Sequence, residues 1–202
     1  MRQRTLLKNL GSVTPPSPSR RYLGEGNVTP YPRSEIILRI LWSLIQATLF
    51  RWSPRGWHGF RVRLLRVFGA RIPPDGNVRI YPTATIIHPW KLICEPHSLV
   101  GPSVNIYNLA PVTLCHGSQL SQSVHLCAGT HDYLHWAMPL VAKPIIIGTN
   151  AWVGAEVFVG PGVTIGELAV IGARSVVVKD QPARMVCAGN PCRPLKARPD
   201  PQ

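Results

Sequence analysis

The chain has 202 residues and a formal net charge of +13, long enough for one domain with a real core plus appendages. The excess charge sits in residues 1 to 71, where 13 basic residues face only Glu25 and Glu35 for +11, while residues 72 to 202 hold nine against seven for +2. No aromatic-interleaved basic patch or nucleic-acid motif accompanies it, which argues against nucleic acid as the partner and leaves an anionic membrane surface or a solvated arm.

Residues 1 to 32 read as a disordered basic arm, with Pro15, Pro16, Pro18, Pro30 and Pro32 among Ser, Arg and Gly, and without the apolar run of a signal peptide. Residues 33 to 71 read as an N-terminal helical segment. Ser34 could cap a first helix through Ile36 to Phe50, in which Ile37, Ile40, Leu41, Leu44 and Leu49 share much of one side, and Trp52-Ser53-Pro54 ends it. At about 15 residues and with Arg39 inside, this helix is too short and too charged to span a membrane. Its apolar side calls for a cover, which could be the domain, a partner or the membrane interface. A second helix, Trp57 to Phe68, puts Val62, Leu65 and Phe68 inward and Arg61, Arg63 and Arg66 outward. Gly69-Ala70 closes it, and Pro73-Pro74-Asp75-Gly76 makes a turn.

A stricter pattern rules the rest. From Ile147 to Val177 a branched apolar residue returns every sixth position, at Ile147, Val153, Val159, Ile165, Ile171 and Val177, with glycine after the first five. A period of six fits neither helix nor exposed strand, but it fits a three-sided solenoid of short strands whose corners need glycine. The large inward positions begin earlier, at Ile80, Ile86, Cys94, Val100, Ile106, Leu114, Leu120 and Leu126. Three gaps exceed six: 86 to 94, 106 to 114 and 126 to 147. With three sides per coil they recur once per coil, so all insertions should stack at one corner. Two are bulges, His88–Lys91 and Asn108–Pro111; the third is a loop over 128 to 143. The solenoid thus spans 72 to 182, and 183 to 202 forms a C-terminal extension over the open end of the last coil. The five cysteines lack paired metal spacing, and Cys94, Cys115 and Cys127 fall at or beside repeat positions; reduced thiols in a cytoplasmic protein are the economical reading.

A loop projecting from a rigid solenoid is where function tends to sit. This one opens Thr130-His131-Asp132-Tyr133 and passes Trp136 and Met138. His131 lies at its root, flanked by a carboxylate, and can accept a proton near neutral pH. Asp132 could orient His131 or hydrogen-bond backbone at the loop's root; sequence adjacency alone leaves both open.

The repeat, this T-H-D-Y loop, Ala151-Trp152-Val153-Gly154, Gly160-Pro161-Gly162-Val163-Thr164-Ile165-Gly166, Gly172-Ala173-Arg174-Ser175-Val176-Val177 and Ala188-Gly189-Asn190-Pro191 together resemble the hexapeptide-repeat acyltransferases. Within them the chain is similar to the exopolysaccharide group typified by colanic acid biosynthesis acetyltransferases, over residues 33 to 198. The resemblance implies a mainly β fold, a left-handed parallel β-helix with N-terminal amphipathic helices, assembled as a homotrimer with acetyl-CoA in grooves between neighbours. It implies that His131 is the general base for a sugar hydroxyl attacking the thioester directly, without an acyl-enzyme. The Gly154 N–H is then the candidate oxyanion donor, and Asn108 matches an asparagine near the acceptor. Positions matching coenzyme contacts are Trp152, Ala155, Ala173, Val178, Lys179, Arg193 and Lys196, with Val178 lacking the hydroxyl of some relatives. The acceptor would be a sugar carried on a lipid, a nucleotide or a polymer, and the basic N-terminus suggests peripheral contact with the inner membrane. No metal is expected. Two rival readings share the fold: a γ-type carbonic anhydrase holding a metal on residues such as His116, His125, His131 and His135, and a non-catalytic assembly module.

Overall fold

A computed structural model describes residues 32–135 and 138–199, so the expectations for the N-terminal arm and for Trp136 lie outside the described residues. Helix α1 (Arg33–Ile45) continues into one wider helical turn, Gln46–Phe50, and α2 (His58–Val67) follows. Pro32, not Ser34, stands at the start of α1, and no side chain caps it.

The strands then wind in coils. The first holds β1 (Arg79–Ile80), β2 (Thr85–Ile86) and β3 (Leu92–Cys94); the second β4 (Leu99–Val100), β5 (Asn105–Tyr107) and β6 (Val112–Leu114). The third begins with β7 (Gln119–Leu120) and β8 (His125–Cys127), then leaves the solenoid as β9 (Gly129–His131) and β10 (Leu140–Ala142) before closing with β11 (Ile145–Ile147). A fourth coil of β12 (Trp152–Val153), β13 (Phe158–Val159) and β14 (Thr164–Ile165) leads to β15 (Val170–Ile171), β16 (Val176–Val177), β17 (Met185–Gly189) and β18 (Cys192–Ala197). Equivalent strands pair in parallel to give three sheets: sheet I is β1-β4-β7-β12-β15-β17-β18, sheet II β2-β5-β8-β13-β16, and sheet III β3-β6-β11-β14. This is a parallel β-helix, as the period of six requires.

Each of the inward positions read from the sequence is at most 1% exposed. Registers such as Ile80 on Val100 and Ile106 on Leu126 stack like on like, so each buried aliphatic side chain contributes about 1.5–3 kcal/mol beside its counterparts. Past Val177 the wall continues less regularly: Gln181 is buried and bridges Ile165, and Cys187 pairs with Ile171 in sheet I. The antiparallel edge strand β18 then covers β17.

At the other end α1 and α2 lie against the first coil. Trp42 carries this contact: fully buried, it donates its indole N–H to the Ile86 carbonyl at 2.6 Å and packs on Phe50 and Phe68. The side of α1 picked out by its apolar residues does not face the domain. Ile37, Ile40, Leu41, Leu44 and Leu49 are all exposed, because one buried tryptophan with its hydrogen bond decides the packing face. Arg61, expected outward, is completely buried; Arg63 and Arg66 are exposed as expected.

Candidate functional site

All three insertions lie at the corner where sheet II passes into sheet III, and each fastens to the next. In the first bulge His88 gives its N–H to Asn108 Oδ1 (2.9 Å) and takes Asn108 Nδ2 on its carbonyl (2.7 Å), while Lys91 Nζ donates to Leu109 O (2.8 Å). In the second bulge Leu109 lies under the loop root: a Cβ on Gly129 would come within 2.6 Å of its Cδ1. Glycine at 129 therefore lets the third insertion sit directly on the second. Tyr107 O accepts the Ala128 N–H (2.9 Å), and the Lys143 side chain closes over Gly162 in the coil above.

Held this way, the third insertion is a β-hairpin, with His131 paired to Leu140 and Thr130 to Val141. The exposed His131 places its Nδ1 2.6 Å from the Met138 carbonyl. A carbonyl oxygen only accepts, so Nδ1 carries the proton and Nε2 keeps a lone pair. Asp132 does something else. Its carboxylate accepts the Leu134 N–H (3.0 Å) and pairs with His135 Nδ1 (2.8 Å), contacts that hold it below the usual carboxylate range, the Leu134 bond foremost. Asp132 thus shapes the hairpin tip and does not orient His131; the Met138 carbonyl has that part. A main-chain oxygen leaves no signature in a residue pattern, so sequence reading could not have found it.

Asn108 also differs from its expected place. It is fully buried with both side-chain heteroatoms on the His88 backbone, so it braces the corner beneath the hairpin and presents nothing to an acceptor. Gly154 lies at the next corner, between sheets I and II, and its N–H is already given to Ile171 O at 2.9 Å in the ladder between coils. That amide is therefore not an available oxyanion donor. The adjacent Ala155 N–H makes no hydrogen bond among the described residues, although its carbonyl accepts from Arg174 N at 2.8 Å.

The remaining candidates fall into three groups. Trp152, on the outer face of sheet I, is 49% exposed and donates Nε1–H to Ser121 Oγ at 2.9 Å; Ala155 and Ala173 sit near it at the sheet I–II corner, half-buried and exposed. Val178 and Lys179 are exposed at the sheet II–III corner, two coils beyond the hairpin, and Arg193 and Lys196 are exposed on edge strand β18. One chain brings His131, Val178 and Lys179 to one edge of the prism and Trp152, Ala155 and Ala173 to another, with the breadth of sheet II between.

The four histidines of the metal reading do not converge. His116 meets His97 edge to face at the sheet III–I corner, His125 lies against Phe158 on sheet II, and His131 and His135 occupy the hairpin. Among the described residues no three His, Cys, Asp or Glu side chains stand together as metal ligands.

Residues 144–179 match the family model for the bacterial transferase hexapeptide, six repeats. Over 158 residues, 78% of this chain and 86% of the relative, the sequence is 44% identical to the colanic acid biosynthesis acetyltransferase WcaF of Escherichia coli (strain K12). A 66-residue stretch, 33% of this chain and 32% of the relative, is 55% identical to the galactoside O-acetyltransferase of the same organism. Among solved structures, the hexapeptide-repeat acetyltransferase VCA0836 of Vibrio cholerae O1 biovar eltor, complexed with acetyl coenzyme A, superposes with a TM-score of 0.74 at 23% identity, covering 90% of this chain and 98% of that one. A galactoside acetyltransferase in complex with coenzyme A gives 0.68 at 24% identity over 84% of each chain. The two superpositions match the coil, and the first relative matches the sequence along most of both chains: this chain belongs to the hexapeptide-repeat acetyltransferases.

Proposed function

We propose that the protein is an O-acetyltransferase that moves acetyl from acetyl-CoA directly to a sugar hydroxyl in exopolysaccharide biosynthesis, with His131 as general base. The observation that carries this reading is the bond between His131 Nδ1 and the Met138 carbonyl, which leaves the Nε2 lone pair of the neutral ring unused on an exposed side chain at the root of the hairpin. Nε2 takes the proton of the attacking hydroxyl, and the resulting imidazolium returns it to the departing thiolate. Acetyl-CoA supplies the activated acyl group as a thioester. The Ala155 N–H, unbonded among the described residues where that of Gly154 is not, is the better donor to the carbonyl oxygen as charge develops on it.

The residues fit such a substrate. Ala155 and Ala173 leave the wall flat enough for a pantetheine arm, Trp152 borders it, and exposed Lys179, Arg193 and Lys196 offer charge for phosphates. Val178 has no hydroxyl to give. The division of these residues between two edges of the prism supports a site completed by a neighbouring copy, with one chain's hairpin facing the next chain's Trp152 edge; this is the homotrimer implied by the family resemblance. The relatives' names, colanic acid biosynthesis and galactoside acetyltransferases, favour a sugar acceptor from polysaccharide synthesis; its carrier in this reading is a lipid, a nucleotide or the polymer itself, met in the cytoplasm. Turnover of acetyl-CoA against a panel of such sugars tests the reading. His131→Ala should lower kcat by about 10²-fold or more while leaving coenzyme binding in place. Turnover like that of the wild type would overturn the assignment.

A further inference from the structure

Helix α1 carries apolar residues on two sides, and only one of them is used. Trp42 and Phe50 go into the fold, whereas Ile37, Ile40, Leu41 and Leu44 are 59%, 57%, 49% and 60% exposed along the other side. The exposed side does not stop at the end of the helix. It runs on through Leu49 and Trp52, the latter 84% exposed, to Trp57 and Phe60, which line one shallow depression with Thr48 and Pro54. Among the described residues, no helix is long and apolar enough to cross a membrane.

The charge around this surface says what covers it. Residues 32 to 71 contain eight arginines and one acid, Glu35. Of these arginines Arg33, Arg51, Arg55, Arg63, Arg66 and Arg71 are exposed. Residues 1 to 31 add five more cations against Glu25. A second copy meeting this face would set arginines against arginines, and the chain's own N-terminal segment carries the same sign. An anionic lipid surface meets both demands, since acyl chains receive the aliphatic and tryptophan side chains and headgroup phosphates receive the guanidinium groups.

We propose that the Ile37-Ile40-Leu41-Leu44 face of α1, extended by Leu49, Trp52 and Trp57, is a peripheral docking surface for an anionic bilayer. It does not rest on the transferase reading, because docking is measured without turnover. A lipid-carried acceptor would nevertheless meet the enzyme there. The test is co-sedimentation of the full chain with phosphatidylcholine vesicles, with and without phosphatidylglycerol. The full chain should sediment with the anionic vesicles, far less with the neutral ones, and should be released as NaCl rises from about 0.05 M to about 0.5 M. Ile40→Asp/Leu44→Asp should reduce partitioning at least about tenfold, and Trp52→Ser, at a position too exposed to disturb the core, several-fold. The proposal is overturned if the full chain stays in the supernatant, if both variants partition like the wild type, or if the double variant lowers the oligomeric mass by light scattering, which would give the face to a second copy.

Discussion

Arg61 illustrates how far one residue type can mislead when its partners are main-chain atoms. Its guanidinium is completely buried without a carboxylate: Nε donates to Ile80 O at 2.7 Å, Nη1 to Ser53 Oγ and Pro54 O at 2.8 Å each, and Nη2 to Arg55 O at 2.7 Å. Burial pulls its pKa below the ordinary value, a cost offset by this fork of acceptors together with His58 Nδ1, 3.1 Å from Nη2, which ties the connection between α1 and α2 to the first coil. Arg61→Met should cost about 3–5 kcal/mol in urea unfolding, because the acceptors are left dry and unmatched. Arg61→Lys should recover only part, since an ammonium cannot reproduce the fork. The helical spacing that sent Arg61 outward was sound about direction for Arg63 and Arg66, but it carries no information about a carbonyl cluster waiting 19 residues ahead at Ile80. The same blindness explains Gly154 and Asp132, whose polar groups are spent on main-chain atoms or the hairpin's own tip.

Among elements, the corners were the most legible and their mechanics the least. At Gly148, Gly154 and Gly166 the glycine after the inward residue marks close approach rather than unusual dihedrals, since a Cβ there would come within 2.7 Å or less of backbone in the coil above; at Gly160 the nearest atom would be 3.5 Å away. The left-handed turn falls two residues later, on Asn150, Glu156, Leu168 and Arg174, at φ of 52°, 59°, 57° and 59°. Asparagine tolerates that region and leucine does not. Leu168→Asn should therefore raise the unfolding free energy by about 1 kcal/mol in thermal or denaturant melts. A decrease would mean that the leucine side chain offsets its own strain by packing. The inward ladder itself could be read from spacing because stacking in a solenoid repeats one local decision coil after coil. The orientation of α1 could not, because both of its sides are apolar and Trp42 differs from its neighbours only in size and in the hydrogen bond it finds.

Across the whole molecule, one buried and one half-buried imidazole set the acid limit. Burial pushes His88 below its ordinary 6.5 despite the Asn108 carbonyl bonded to its ring, and burial does the same to His125 against Phe158. Both are pushed down, so the unfolded chain binds protons that the folded chain resists. Stability should be level above about pH 6.5 and fall as pH drops below it. Denaturation midpoints measured between about pH 7.5 and pH 5 would check this, with His125→Gln flattening part of the slope; a level wild-type profile would contradict it. The corner stack has a different consequence, an evolutionary one. The hairpin leaves the coil at Ala128 and returns at Lys143, whose N–H is 3.1 Å from the Ala128 carbonyl, so the chain closes the loop before any tip residue is counted. Lengthening such a closed loop costs only about 0.6 kcal/mol per doubling. Tip residues can be inserted, deleted or exchanged while every coil keeps its register, and a lineage of these proteins can change what it recognises without having to solve its folding problem again.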